Sequence, residues 1–407
     1  MTEQARFLSR RAVALSGFAT IGTALISACG GGSGGGSSGG GSGGGASSAS
    51  SSSSSTSSAL PDPSTAPALK TVFAAKFKIG MAIEPTQTTQ NPSRDLLIKH
   101  ASSITAENVM KPATIGPSEG VYDYSQADQL ITFAQANGIA VRGHTLVWHQ
   151  TAPNWFFAGS QADPVAYKAL VRQRLETYVT NVVTHFKGKV YAWDVVNEVA
   201  SDTAGETYRN SAWYQALGPD YIEYAFRAAR AADPTVKLYI NDYSTEDAAK
   251  RTRLIQIVQD LLNKGVPIDG VGHQAHLNTA SSVPNLEAAL TAVEALNLEN
   301  HVTELDVSLY TDPGSCYANQ TGCAAALTVG SAALTTALRA QAVLYRSLYT
   351  MLATHPSVKS VTTWGVADDH TWLKTWPVTR LNLPLLFDEA GLPKSAFWAS
   401  VDPAFVP

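Results

Sequence analysis

From residue 68 to the C-terminus, short apolar runs alternate with longer amphipathic segments. "KIGMAI", "SITAEN", "IAVRGHTLVWH", "KVYAWDVVNE", "VKLYINDYS", "IDGVGHQAHL", "HVTELDV" and "VKSVTTWGVADD" read as strands. Between them apolar residues recur at helical spacing. "YSQADQLITFAQANG" ends on a glycine stop, and "DPVAYKALVRQRLETYVTNVVTHFKG" opens with Asp163 and Pro164 in the manner of a helix start. Such alternation calls for parallel pairing, and eight β/α units in this length fit a closed (β/α)8 barrel better than an open sheet. No glycine-rich phosphate or dinucleotide loop follows any strand, which counts against a Rossmann arrangement.

The first 67 residues read differently. "FLSRRAVALSGFATIGTALISAC" has a basic start at Arg10 and Arg11, an apolar stretch and small residues, the order of an export signal. "SRRAVA" resembles a twin-arginine signal, and "ISAC" resembles a bacterial lipobox with Cys29 as the lipidated residue; an ordinary cleaved secretory signal is the alternative. Glycine and serine interrupt the apolar run, which argues against a permanent span. Residues 30–58 are almost wholly Gly and Ser and cannot bury enough surface to offset chain entropy. The expected organisation is a signal over 1–29, a Gly/Ser/Pro-rich linker over 30–67, and one catalytic domain over 68–407. With 44% apolar residues that domain can build a sizeable core. A net charge of −4 gives no sign of a nucleic-acid or polybasic membrane surface. The expected membrane association is therefore through the Cys29 lipid alone, at the cell envelope or surface, and the enzyme is otherwise secreted.

Polar residues gather where the strands end. Glu107 and Asn108 close the second, His144 and His149 the third, Asn197 and Glu198 the fourth, Asn241 and Asp242 the fifth. Gln274 and His276 close the sixth, Glu304 and Asp306 the seventh, Trp364 the eighth. One strand-end carboxylate is most often a solvated loop residue. Seven strands behaving alike point to a shared site, because a barrel brings these ends to one face. Of the three cysteines, Cys316 and Cys323 lie close together in "TDPGSCYANQTGCAA" and can pair in an exported protein. Two free thiols are the alternative. No neighbouring His or Cys completes a metal set, and no cofactor is expected.

"ITAENVMKP", "RGHTLVWH", "WDVVNE", "RNSAWYQALG", "LYINDYS", "GHQAHL", "VTELDVS" and "TWGVADDHTW" occur in the order found in glycoside hydrolase family 10, the retaining endo-β-1,4-xylanases. The resemblance spans about residues 70–400. It implies a (β/α)8 barrel acting on xylan as a monomer, with Glu198 as acid/base and Glu304 as nucleophile. Glu107, Asn108 and Lys111 would bind sugar on the non-reducing side. His144, Trp148, Asn197, Gln274 and His276 would surround the sugar being cleaved, with Trp364 and Trp372 as its aromatic wall. Tyr243 would serve the leaving-group side, and Asp306 would support the site. One departure is Ser244, where Asn is frequent after "NDY", with little consequence expected. The cysteine-bearing loop after Leu309 looks inserted.

The chemistry accounts for the inventory. Glycoside cleavage needs a protonated carboxyl for the leaving oxygen and an ionised carboxylate on the opposite side of the anomeric carbon, with the pair roughly 5–5.5 Å apart if configuration is retained. Asn197 can hydrogen-bond a sugar 2-OH, His276 can hold Glu304 ionised, and Trp rings offer flat faces to a pyranose. Three rivals stand beside this reading: a β-1,4-glucanase or cellulase on a related barrel, a non-catalytic xylan-binding protein, and a metal-dependent hydrolase built on His144, His149 and His276. The last lacks any HExxH-type spacing.

Overall fold

The computed structural model describes residues 59–407. The signal and lipid site expected at residues 1–29, Cys29 included, lie outside the described residues, as does the linker up to residue 58. From Pro61 the chain is already structured: Asp62 caps a short turn at Pro63–Thr65, and Ala66 and Leu69 are buried.

Eight strands form the barrel: β1 (Lys78–Ile83), β2 (Ser103–Ala106), β3 (Ala140–Gly143), β4 (Ala192–Asn197), β5 (Lys237–Asp242), β6 (Gly270–His273), β7 (Glu299–Ser308) and β8 (Val358–Thr363). Every neighbouring pair is parallel, and β8 closes the ring by pairing with both β7 and β1. The closed (β/α)8 barrel expected from the alternation is the observed fold.

Two strands expected as single runs are broken. "IAVRGHTLVWH" forms β3 and then a separate two-residue piece, Val147–Trp148, beside β4. "IDGVGHQAHL" forms β6 and then His276–Asn278, which pairs with the far end of β7. A cis peptide at His144–Thr145 marks the first break, and Ala275 at φ 57° marks the second. Such turns depend on backbone geometry that a hydropathy pattern does not carry. His144 directly follows β3, and His276 opens the second piece, in register with Asp306 of β7.

The helices follow their local chemistry. α1 (Ser93–His100), α2 (Ser125–Ala136), α3 (Pro164–His185), α4 (Asp220–Ala232), α5 (Ala248–Asn263), α6 (Val283–Glu294), α7 (Ala332–Leu352) and α8 (Ser395–Val401) surround the barrel. In α3 the Asp163 carboxylate accepts the N–H groups of Val165 and Ala166, with Pro164 at the first position. α3 then buries Val171, Leu175, Tyr178, Val179 and Val182 at three- and four-residue steps. Asp247 and Ser331 cap α5 and α7 in the same way.

Inside the barrel the packing depends on particular glycines. A Cβ on Gly143 would stand 2.2 Å from the Trp193 ring, and one on Gly272 would stand 2.3 Å from the Asn241 side-chain oxygen. Glycine at 272 thus leaves room for an amide that belongs to the site.

Candidate active site

β4 and β7 deliver the two glutamates. Glu198 follows the last residue of β4 and adopts φ 59°, the left-handed region that an L-residue with a long side chain seldom occupies. Its N–H donates to the carbonyl of Asn241 on β5 at 2.8 Å. Glu304 sits within β7, and its N–H donates to the carbonyl of Gln274 at 3.0 Å. Both residues are buried.

A chain of amides joins them. Asn241 Nδ2 donates to Glu304 Oε1 at 2.8 Å and to Asn197 Oδ1 at 2.9 Å, while its own oxygen accepts from Thr303 at 2.7 Å. Gln274 Nε2 reaches Asn197 Oδ1 at 3.3 Å and Glu198 Oε1 at 3.4 Å. With the Asn197 amide in the opposite orientation, its oxygen faces Trp148 Nε1 at 3.3 Å and its nitrogen faces the Asn241 carbonyl at 3.3 Å. His149 Nε2 lies 3.9 Å from Glu198 Oε2.

Behind Glu304 stands a second chain. His276 Nε2 is 3.1 Å from Glu304 Oε2, and His276 Nδ1 is 3.0 Å from Asp306 Oδ2. The same Asp306 oxygen accepts from Trp372 Nε1 at 2.8 Å. Burial disfavours a charged His276, but Asp306 and Glu304 outweigh it and push the imidazole up to about 10. His276 is therefore a cation at neutral pH, placed between two carboxylates. Its ring meets Trp372 at 5.1 Å and Trp364 at 6.3 Å, and Trp364 also meets His144 at 5.4 Å.

His144 is held from below. Its Nδ1 lies 2.8 Å from Asp194 Oδ2, and Asp194 forms a two-pronged ion pair with Arg142; all three side chains are nearly inaccessible. Arg142 Nε donates to His301 Nδ1 at 3.2 Å. Burial drives the His301 imidazole well down, with Arg142 adding to the effect, so it stays neutral and accepts.

The remaining residues lie after β1, β2 and β8. Asn108 Nδ2 donates to Glu84 Oε1 at 2.5 Å, and Lys111 Nζ donates to Asn108 Oδ1 at 2.9 Å. Lys111 also stands 5.0 Å above the Trp148 ring. His370 Nε2 lies 3.2 Å from Glu107 Oε2. Burial, then the charge of Glu107, raises the Glu84 carboxyl; burial lowers the Lys111 ammonium despite the surrounding acids. Glu107, Asn108 and Lys111 thus cluster as expected. Sequence reasoning missed Glu84 and His370, although Glu84 follows β1 by the same rule that flagged the other strand ends. It also noted Asn241 only as a strand end, without assigning it to the site.

Tyr243, after β5, places its hydroxyl against Asp202 and Arg209 rather than leaving it open. Cys316 and Cys323 are joined as a disulfide with Cα atoms 4.9 Å apart. Among the described residues no group of three or more His, Cys, Asp or Glu side chains is arranged to hold a metal ion.

Residues 68–403 match the sequence profile of glycosyl hydrolase family 10. The chain belongs to that family. It is 41% identical over 354 residues to a thermostable celloxylanase of Thermoclostridium stercorarium, covering 83% of this chain and 88% of the relative. It is 41% identical over 348 residues to endo-1,4-beta-xylanase A of Thermotoga maritima, covering 84% of this chain but only 31% of that longer protein. Among solved structures, xylanase B from Clostridium stercorarium F9 superposes with a TM-score of 0.77 at 41% identity, over 83% of this chain and all of the other.

Proposed function

We propose that this glycosyl hydrolase cleaves internal β-1,4-xylosidic bonds of xylan with retention of configuration. The observation that carries the reading is the pairing of Glu198 and Glu304 across the Asn197–Asn241–Gln274 amide chain, with one glutamate facing a cationic His276. Relatives named as xylanases, at about 40% identity over most of the chain, support the substrate class.

Glu304 is the nucleophile. His276 and Asn241 each occupy one of its oxygens, which fixes the direction of attack on the anomeric carbon. The sugar–oxygen bond breaks as the ester bond to Glu304 forms, and Glu198 gives its proton to the departing oxygen. Glu198 then takes a proton from water, which displaces Glu304 and restores the starting configuration. Asn197 contacts the 2-OH of the sugar, where a hydrogen bond strengthens as oxocarbenium character develops. Trp364 and Trp372 wall this sugar. Glu84, Glu107, Asn108 and Lys111 hold its non-reducing neighbour, and Tyr243 faces the leaving sugar. Asp306 supports His276 and Trp372 together.

In the same reading the enzyme is exported, tethered by lipid at Cys29, and works as a monomer beyond a flexible Gly/Ser linker. For about 30 such residues the r.m.s. reach is roughly 5–6 Å times √n, on the order of 30 Å, enough to clear the lipid headgroups. A Cys29→Ala variant should release soluble, active enzyme; solubility of the unaltered exported protein would overturn the anchor.

The deciding experiment compares reducing-sugar release from xylan and carboxymethylcellulose, with NMR of the first product. Faster release from xylan with β-configured ends is the expected outcome. A preference for carboxymethylcellulose would give the glucanase reading, no release from either polymer would leave a binding protein, and α-configured ends would show inversion.

A further inference from the structure

The segment after β4 folds back beneath the residue that ends it. Ala200 pairs antiparallel with Tyr208, Ser201 N–H donates to Thr207 at 3.0 Å, and Arg209 N–H donates to Val199 at 2.8 Å. This small hairpin returns Arg209 to Glu198. Arg209 Nε donates to the Glu198 carbonyl at 2.8 Å, and Nη2 approaches the Ala200 carbonyl at 3.4 Å. The Glu198 carbonyl has left the strand ladder because of the left-handed turn at φ 59°. The guanidinium supplies the donor that a strand neighbour would otherwise provide.

The same guanidinium is held on its far side. Arg209 Nη2 donates to the Tyr243 hydroxyl at 2.8 Å and pairs with Asp202 Oδ2 at 3.0 Å. Lys250 Nζ completes the group, 2.6 Å from Asp202 Oδ1, 3.3 Å from Asp242 Oδ1 and 3.9 Å above the Tyr243 ring. Asp242 in turn accepts the Ala200 N–H at 2.9 Å. Two cations and two carboxylates therefore hold the Glu198 carbonyl and the Ala200 peptide, after β4, together with the Tyr243 side chain, after β5. Burial opposes the Asp202 charge, yet Arg209 and Lys250 hold its carboxyl down at about 2, so Asp202 is ionised at neutral pH; burial raises the Asp242 carboxyl against the charges of Lys250 and Arg209.

We propose that Arg209 is a positioning residue for the proton donor: through the Glu198 carbonyl it holds the left-handed backbone that aims the carboxyl at the leaving oxygen. The inference rests on the reading of Glu198 as acid/base. Arg209 itself touches neither substrate nor reacting atoms. Its second bond ties the aim of Glu198 to the seat of Tyr243, so the proton donor and the leaving-sugar platform move together. Lys250 lies 3.9 Å over the Tyr243 ring and the Arg209 guanidinium 5.5 Å over it, so both cations seat the ring as well as its hydroxyl.

A general acid contributes about 10²–10⁴-fold, and only where the leaving group needs a proton. The test is therefore kcat/KM for wild type, Arg209→Met, Arg209→Lys and Asp202→Asn on xylotriose and on a dinitrophenyl β-xylobioside. Arg209→Met keeps the apolar stem and removes the donors. It should lose at least about tenfold more on xylotriose than on the activated substrate, with Arg209→Lys in between. Asp202→Asn, at a half-exposed position, should shift the ratio the same way by less. It serves as the test if Arg209→Met does not fold. Equal losses on both substrates, or a fall in Tm without a change in ratio, would overturn the proposal. Glu198→Ala is the reference. If it loses equally on both substrates, the acid/base assignment fails, a result distinct from failure of the Arg209 role.

Discussion

Gln274 holds Glu304 by its backbone and Glu198 by its side chain. Its carbonyl accepts the Glu304 N–H at 3.0 Å, and its amide nitrogen lies 3.4 Å from Glu198 Oε1. One residue at the broken end of β6 thus links the backbone of one glutamate to the carboxyl of the other. A shift of this residue would move both glutamates.

Glu304→Ala should abolish turnover on every substrate. Glu198→Ala should lose most on xylan and least on an activated aryl xylobioside, where it should accumulate the ester intermediate. Added azide should restore turnover and give a β-glycosyl azide. Mass spectrometry of the trapped protein should place the sugar on the peptide carrying Glu304; attachment to any other peptide would remove Glu304 from its role.

His276 gives the site a pH signature. Its folded value near 10 lies above the ordinary imidazole value, so the charged form stabilises the folded state. That contribution is complete below about pH 6.5 and is lost as pH rises through about 10. Tm should fall between neutral pH and pH 10 more steeply for the native protein than for His276→Asn. Parallel curves for the two proteins would contradict a charged His276.

The disulfide closes a short loop between β7 and α7, so its effect should be local. Chain entropy for a loop of eight residues gives about 2.5 kcal/mol. Cys316→Ser with Cys323→Ser should lower stability by no more than this, measured by denaturant unfolding. The loop is also tied by a buried Arg380–Asp312 pair and by Arg380 stacked 3.6 Å over Tyr310. Activity on xylotriose should therefore change little on reduction.

Ser244 adopts φ 52°. The Asn frequent after "NDY" is a residue that tolerates the left-handed region, whereas Ser gains nothing there. Ser244→Asn should raise stability by up to about 1 kcal/mol with unchanged kcat/KM. An unchanged Tm would show that the turn imposes no strain at this position. The little consequence expected for this departure thus becomes a measurable one.

The barrel was legible because its signal is periodic. Eight apolar runs with polar ends record both the strands and the face they share. Glu198 and Glu304 were legible for the same reason, with the family resemblance assigning their roles. Asp194 was not, because it lies between Trp193 and Val195 in a strand that reads as apolar, and its partner Arg142 is on another strand. Pairing between neighbouring strands distant in sequence leaves no trace in local spacing. Arg209 was hidden differently: it sits in an irregular loop and acts through a backbone carbonyl eleven residues back. The left-handed turns at Glu198 and Ala275 carry no glycine to announce them.

The left-handed backbone at Glu198 sets stability and catalysis against each other. Held there, a non-glycine residue costs on the order of 1–3 kcal/mol, and glycine would relieve that cost while discarding the side chain proposed here as the proton donor. Drift that rewarded only folding would convert this enzyme into a sturdier protein that still grips its polymer and no longer cuts it.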